Sequence, residues 1–272
     1  MGFSAGARCA SVGENGKIRG MDASMNTTLD DGRSREPVVA VVFAGGSGTR
    51  MGAAVPKQFL ELNGKPVLAH VLELFERHPE VDRIRLVVQR EYIAAAESLC
   101  RKYGIGKLAG VCEGGASAQE SIYRGLLACR DGGDGDGAIV LLHDGVRPYV
   151  LPEVISANIA GVRERGNAVT FTPCFETLVI SEDGQRVSDI PPRRKSYAAQ
   201  APQSFRLGDI LAAHERVRAM PGGYEDLVDQ ATVCWKLGIP INLVPGNRGN
   251  VKITTPEDII ALEALLRRED AR

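Results

Sequence analysis

The sequence lacks a surplus of charge: 33 Lys and Arg stand against 34 Asp and Glu, a formal net charge of -1. Nothing global therefore draws the chain to nucleic acid or to an anionic membrane, and any anion it binds must be held locally. There is no run of about 18 apolar residues that could span a bilayer, and the N-terminus lacks the apolar stretch of a signal peptide. The six cysteines, Cys9, Cys100, Cys112, Cys129, Cys174 and Cys234, include no C-x-x-C pair and no histidine at zinc-ligand spacing. They read as buried thiols of a reducing cytoplasm.

Three common phosphate-binding signatures are missing too. Gly46 and Gly48 are followed by Met51 where the third glycine of G-x-G-x-x-G belongs, and no Gly-Lys-Ser/Thr exists for a P-loop. The His-Arg-Asp and Asp-Phe-Gly elements of a protein kinase are absent as well. These gaps argue against dehydrogenase, P-loop and kinase readings.

What is present is a chain of 272 residues, 44% hydrophobic, long enough to bury one large core. Residues 1–36 are rich in Gly, Ser, Asp and Arg without a periodic apolar face, which predicts a flexible tail; Met21 or Met25 could be the true start. Residues 37–272 read as a single domain. It opens on Val38-Val39-Ala40-Val41-Val42-Phe43-Ala44, a continuous apolar run that suits a strand buried on both faces.

Helix and strand patterns alternate from there. Helices are expected over 66–77, 92–103, 117–129, 152–165, 208–218, 227–237 and 256–268, and strands over 83–88, 138–142, 168–172 and 242–244. Crossovers of this length predict an α/β fold, three layers around a mostly parallel sheet. Residues 176–206 break the rhythm: Leu178-Val179-Ile180, Asp183-Gly184 and Arg186-Val187 suggest a β-hairpin arm, either a dimerisation element or a surface hairpin covering its own sheet.

Ligands of such sheets bind beyond the carboxyl ends of the strands, and two loops there carry chemistry. The first is Ala44-Gly45-Gly46-Ser47-Gly48-Thr49-Arg50-Met51-Gly52 followed by Pro56-Lys57-Gln58-Phe59. Its glycines let backbone N–H groups approach a phosphate chain, and Arg50 and Lys57 add fixed positive charge. By itself it could equally be a tight turn with solvated bases. The second is His143-Asp144-Gly145-Val146-Arg147-Pro148, where Asp144 is placed to hold a Mg²⁺ bridging nucleotide phosphates and Arg147 to brace that carboxylate or its loop. His-Asp could also simply cap a strand end, and His143 reads as structural. A third segment, Asn250-Val251-Lys252-Ile253-Thr254, holds a lone lysine that either reaches the same cleft or snorkels at the surface.

Together these motifs, with Gly114-Gly115 and Ser121, and Pro202-Gln203-Ser204-Phe205, resemble the cytidylyltransferases acting on 2-C-methyl-D-erythritol 4-phosphate or ribitol 5-phosphate, over residues 38–266. The resemblance implies a nucleotide-diphospho-sugar-transferase-like fold, a homodimer joined through the arm, CTP and a polyol phosphate as substrates, and Mg²⁺. It implies that Ala44, Gly45, Gly46, Gly48 and Arg50 wrap the triphosphate, that Lys57 and Lys252 neutralise the α-phosphate with Arg50 as the third catalytic cation, and that Gly114 and Ser121 touch cytosine and ribose. Asp144 would hold Mg²⁺. Thr177, Arg193 from the partner's arm and Arg147 would bind the acceptor. The chain departs from the family at Ala118, where Arg is common, and at Ala201, where Thr is common. Its Ala44-Gly45-Gly46, Val146 and the stretch from Ile190 to Phe205 look more like ribitol-phosphate enzymes, whose product feeds wall or capsule polymers, than methylerythritol enzymes of isoprenoid synthesis. A nucleotide- or polyol-phosphate-binding protein without catalysis is the alternative of another class; the joint presence of Arg50, Lys57, Asp144 and Lys252 argues against it.

Overall fold

The opening apolar run forms strand β1 (Val38–Phe43), and its period of two sends Val38, Ala40 and Val42 into one buried cluster and Val39 and Val41 into another. A strand that buries both faces needs helices on both sides, so this single segment already demands three layers. The computed structural model describes residues 35–45 and 56–270. The described residues from Glu36 onward belong to one compact unit. The expected tail, Arg35 and Glu36 apart, and residues 46–55 lie outside the described ones.

After β1 come a short antiparallel pair, β2 (Glu61–Leu62) and β3 (Lys65–Pro66), then helix α1 (Val67–Arg77) and β4 (Arg83–Val88). Next are α2 (Ile93–Lys102), β5 (Leu108–Glu113), α3 (Ala118–Asp131), β6 (Ile139–Asp144), α4 (Pro152–Arg165) and β7 (Asn167–Pro173). The chain ends through β8 (Tyr197–Arg206), α5 (Leu207–Arg218), α6 (Gln230–Lys236), β9 (Leu243–Pro245) and α7 (Pro256–Asp270). The seven-stranded sheet has the order β5-β4-β1-β6-β8-β7-β9. Only β8 runs against its neighbours, so the sheet is mostly parallel as expected.

Local chemistry sets the helix ends. Ser117 caps α3 by accepting from the Glu120 N–H, and Asp229 and Thr232 form a reciprocal capping box on α6. Pro152 starts α4 and Gly166, in the left-handed region at φ 84°, ends it. On one face of the sheet α1 seats Leu68, Leu72 and Phe75; on the other, α3 and α5 seat Ile122, Leu126, Ile210 and Leu211. Each such fully buried side chain contributes about 1.5–3 kcal/mol.

Besides the short pair β2 and β3, two strands of the seven-stranded sheet escape the sequence pattern. β5 is a partly exposed edge strand with Gly110 at φ 155°, too weakly apolar to stand out. β8 corrects the arm: residues 197–206, expected within it, form a strand whose second half is buried between β6 and β7. What projects is 176–196, where the hairpin is reduced to a single bridge, Ile180 to Asp189, around a turn tied by Asp183. It displays Leu178, Val179, Ile180, Val187 and Ile190. Among the described residues no helix is long and apolar enough to cross a membrane. Cys100, Cys112, Cys129, Cys174 and Cys234 are free thiols, and burial pushes Cys129 up to about 12 and Cys100 and Cys234 up to about 11.

Candidate active site

Parallel strands end together, so whatever follows each of them meets at one sheet edge. Ala44 and Gly45 after β1, Gln89 after β4, Gly115 after β5 and Asp144 at the end of β6 all line one cleft of about 710 Å³. Two glutamine amides fix the β1 exit: Gln58 Nε2 donates to the Ala44 carbonyl at 2.8 Å and Gln89 Nε2 to the Gly45 carbonyl at 2.9 Å. Gly145 keeps the β1 and β6 exits close, since a Cβ there would sit 2.7 Å from the Ala44 Cβ.

Asp144 is the electrostatic centre. Lys252 Nζ lies 2.7 Å from its Oδ1 and Arg147 Nε 2.8 Å from its Oδ2, with the Asp144 side chain only 13% exposed. Burial by itself would push this carboxyl up; the Arg147 and Lys252 charges and hydrogen bonds outweigh it and hold the group below the usual carboxylate range. Lys252 is 46% exposed on its side chain, so its ammonium faces the open cleft. Lys57 is 7% exposed and enters the same cleft from a short 3-10 turn, Lys57–Phe59, its Nζ 3.3 Å from the Ile253 carbonyl. The two lysines, 195 positions apart in sequence, therefore share one cleft, Lys57 meeting the carbonyl of the residue that follows Lys252. Arg50, Gly46 and Gly48 lie outside the described residues.

On the far wall, Ser121 in the first turns of α3 organises the Gly114-Gly115 loop. Its Oγ accepts from the Gly115 N–H at 3.0 Å and donates to the Ser117 carbonyl at 2.9 Å. A Cβ on Gly114 would meet that Oγ at 2.9 Å, so a side chain there would push the Ser121 hydroxyl out of this place. Gly115, Ala118 and Ser121 line the cleft; Gly114 stands behind it, its N–H spent on the Val88 carbonyl. Arg147 is at the cleft wall, donating from Nη1 to the Asn250 carbonyl at 2.9 Å. Thr177 and Arg193 are exposed on the projecting segment and do not line this cleft.

His143 has the structural setting expected of it. It is fully buried, edge-on to Phe75 at 5.1 Å, with Nε2 3.1 Å from the Arg147 carbonyl. Burial pulls its pKa down to about 4, so the imidazole is neutral and Nε2 carries the proton it donates.

A divalent cation fits this site in one way only. Among the described residues no cluster of three or more His, Cys, Asp or Glu could hold a metal unaided. Mg²⁺, however, is usually held by one or two carboxylates together with substrate phosphates and water, and each Asp144 oxygen keeps a lone pair beyond its present hydrogen bond.

Several lining residues were given no site role by the sequence. Ala199, Gln200, Ala201 and Gln203 reach the cleft on β8, within the stretch and motif that carried the family resemblance, and Val228, Asp229 and Gln230, which carried no signal, reach it before and at the start of α6. Gln203 Oε1 accepts from the Gln230 and Ala231 N–H groups while its Nε2 donates to Asp229 Oδ2. Gln89 was also within reach of sequence reasoning, by extending the strand-end rule to β4.

Residues 38–268 match the family model described as IspD: 2-C-methyl-D-erythritol 4-phosphate cytidylyltransferase. A ribitol-5-phosphate cytidylyltransferase of Streptococcus agalactiae is 38% identical over 84% of this chain and 94% of its own. A 2-C-methyl-D-erythritol 4-phosphate cytidylyltransferase of Geobacter metallireducens is 39% identical over 85% and 98%. A crystal structure of 4-diphosphocytidyl-2C-methyl-D-erythritol synthase from Anaerococcus prevotii superposes with a TM-score of 0.73 at 29% identity, covering 86% of this chain and 97% of that one.

Proposed function

Because the chain belongs to the 2-C-methyl-D-erythritol 4-phosphate cytidylyltransferase family, we propose that it is a nucleotidyltransferase that moves CMP from CTP to D-ribitol 5-phosphate in this cleft, giving a CDP-polyol and pyrophosphate. The single observation that carries the nucleotidyl transfer is the convergence of Lys57, Lys252 and Asp144 on one strand-end cleft; the choice of ribitol 5-phosphate is supported by the ribitol-5-phosphate cytidylyltransferase relative.

In this reading an oxygen of the acceptor phosphate attacks the α-phosphorus of CTP, the bond from that phosphorus to the bridging oxygen breaks, and pyrophosphate leaves in line. The acceptor phosphate is already ionised at neutral pH, so positioning and charge neutralisation do the chemistry and no general base is needed. Lys57 and Lys252, with Arg50, neutralise the α-phosphate; Ala44, Gly45, Gly46 and Gly48 cradle the chain; Gly114, through Gly115, and Ser121 shape the seat of cytosine and ribose. Asp144 would hold Mg²⁺, which supplies charge neutralisation at the phosphate oxygens when bound. Arg147 and Lys252 keep Asp144 ionised, the state that metal binding requires.

Thr177 and Arg193 do not line their own cleft, so the acceptor-binding role given to them calls for a second copy of the chain. The exposed Val179, Ile180, Val187 and Ile190 on the projecting segment supply an apolar face for that contact. Free cysteines suit a cytoplasmic enzyme.

A second acceptor has its own support: the family model and the Geobacter metallireducens relative carry the name of 2-C-methyl-D-erythritol 4-phosphate. Pyrophosphate release is to be measured with CTP, Mg²⁺ and each polyol phosphate in turn. Faster turnover with ribitol 5-phosphate is expected. Preference for the methylerythritol compound would reassign the acceptor, and CTP binding without release on any acceptor would leave a binding protein.

A further inference from the structure

Lys252 sits in a stretch with neither helix nor strand, residues 246–255. A lysine carried on an untethered loop would lose much of its value, because a misplacement of about 1 Å can cost roughly 10²-fold in rate. Two anchors prevent that. On the C-terminal side Ile253 is fully buried; its N–H donates to the Val146 carbonyl at 3.0 Å and its own carbonyl accepts from Lys57 Nζ.

The N-terminal anchor is Asn250, 1% exposed and not itself part of the cleft wall. Its Nδ2 donates to the Ala201 carbonyl on β8 at 2.6 Å. Its carbonyl accepts twice, from Arg147 Nη1 at 2.9 Å and from Gln200 Nε2 at 3.1 Å. Gln200 Nε2 also reaches the Asn247 carbonyl at 3.2 Å, and the Asn250 N–H closes the turn onto that same carbonyl at 3.0 Å. A closed circuit results: Asp144 to Arg147, Arg147 to Asn250, along the chain to Lys252, and from Lys252 back to Asp144. The side chain must supply a donor. An aspartate would set a carboxylate oxygen against the Ala201 carbonyl, and an apolar residue would leave that buried acceptor without its donor.

We propose that Asn250 is a positioning residue: by clamping the Lys252 peptide to β8 and to Arg147, it fixes the lysine ammonium at the reacting phosphate. The inference rests on the role given above to Lys252. Its test is a double-mutant cycle in kcat, with KM for CTP and for the acceptor, across wild type, Asn250→Ala, Lys252→Ala and the double variant. Asn250→Ala is expected to lower kcat by about 10–100-fold, with KM for CTP little changed, whereas in the Lys252→Ala background the same change should alter kcat by less than about twofold. Equal losses in the two backgrounds overturn the positioning role and leave Asn250 a structural residue, with Lys252 still functional. Near-normal turnover of Lys252→Ala overturns the role of Lys252 and this inference with it. Should Asn250→Ala fail to fold, Gln200→Leu removes one donor to the same carbonyl and keeps the side-chain tether. Its loss must likewise vanish without Lys252, and additive losses again overturn the proposal.

Discussion

Lys57 and Lys252 bring the same charge to the same cleft from different depths, and replacing each by alanine separates catalysis from stability. Lys252 is 46% exposed and its ion pair with Asp144 is open to solvent on the lysine side, so the pair contributes about 0–1 kcal/mol. Lys252→Ala should then lower Tm by no more than about 4 °C, at about 2–4 °C per kcal/mol for a chain of this size. Lys57 is 7% exposed. Lys57→Ala deletes three buried methylenes, about 0.8 kcal/mol each, and leaves the Ile253 carbonyl without that donor, about 1–3 kcal/mol. Relief from burying an ammonium offsets part of this, leaving a net cost of about 2–4 kcal/mol and a Tm lowered by roughly 5–15 °C. In turnover the two should look alike: loss of one preorganised charge at the developing transition state costs about 2.7–4 kcal/mol, or 10²–10³-fold in kcat. Pyrophosphate release and thermal unfolding of the same preparations check both halves. Near-normal turnover in both variants would refute the roles, and an equal fall in Tm for both would refute the difference in depth.

Chelation with EDTA should abolish pyrophosphate release and added Mg²⁺ restore it; full activity in the chelated enzyme would remove Asp144 from the role of metal ligand. Burial pulls both His143 and His214 down to about 4. The unfolded chain binds these protons first as pH falls from about 6.5, and it binds a proton at His78, which burial also lowers, before the folded chain does, so stability should drop with two protons or more taken up on unfolding between about pH 6.5 and 4, and be flat only from about pH 7 to 8, above which the raised cysteines lower it again. Urea titrations across that range show it; stability rising with acidity would contradict it. Gly125→Val should cost about 1–3 kcal/mol by overpacking, because even a Cβ on Gly125 would lie 2.8 Å from Val87 Cγ2 and 2.9 Å from Val41 Cγ1. Denaturant midpoints test that. Val179→Asp with Ile190→Asp should convert a dimer to monomers by light scattering and raise KM for the acceptor, and an unchanged mass would separate the arm from assembly.

Much of this was legible because local chemistry is written locally. An apolar run such as Val38-Val39-Ala40-Val41-Val42 can satisfy its side chains only between two layers, and strands separated by single helices leave few topologies open. The same reading placed β4 and α4 to the residue and put Ala44, Gly45 and Asp144 at strand ends facing one edge. β8 was hidden because Gln200, Gln203 and Ser204 are polar residues buried with partners far away in sequence: Gln200 with Asn250, Gln203 with Asp229 and Gln230, and Ser204 with Asn158. No window along the chain contains both members of such a pair.

The sequence by itself settled that the chain folds as a layered α/β protein and that its charged motifs gather at strand ends, since periodicity and turn chemistry are properties of neighbouring residues. Only the tertiary structure decided that Lys252 shares a carboxylate with Arg147, that Lys57 donates to the peptide beside it, and that β8 runs antiparallel to supply one wall of the cleft. The lysine contacts join residues 108 and 196 positions apart, β8 meets β6 across 61 to 67, and chain distance gives no measure of an approach that packing enforces.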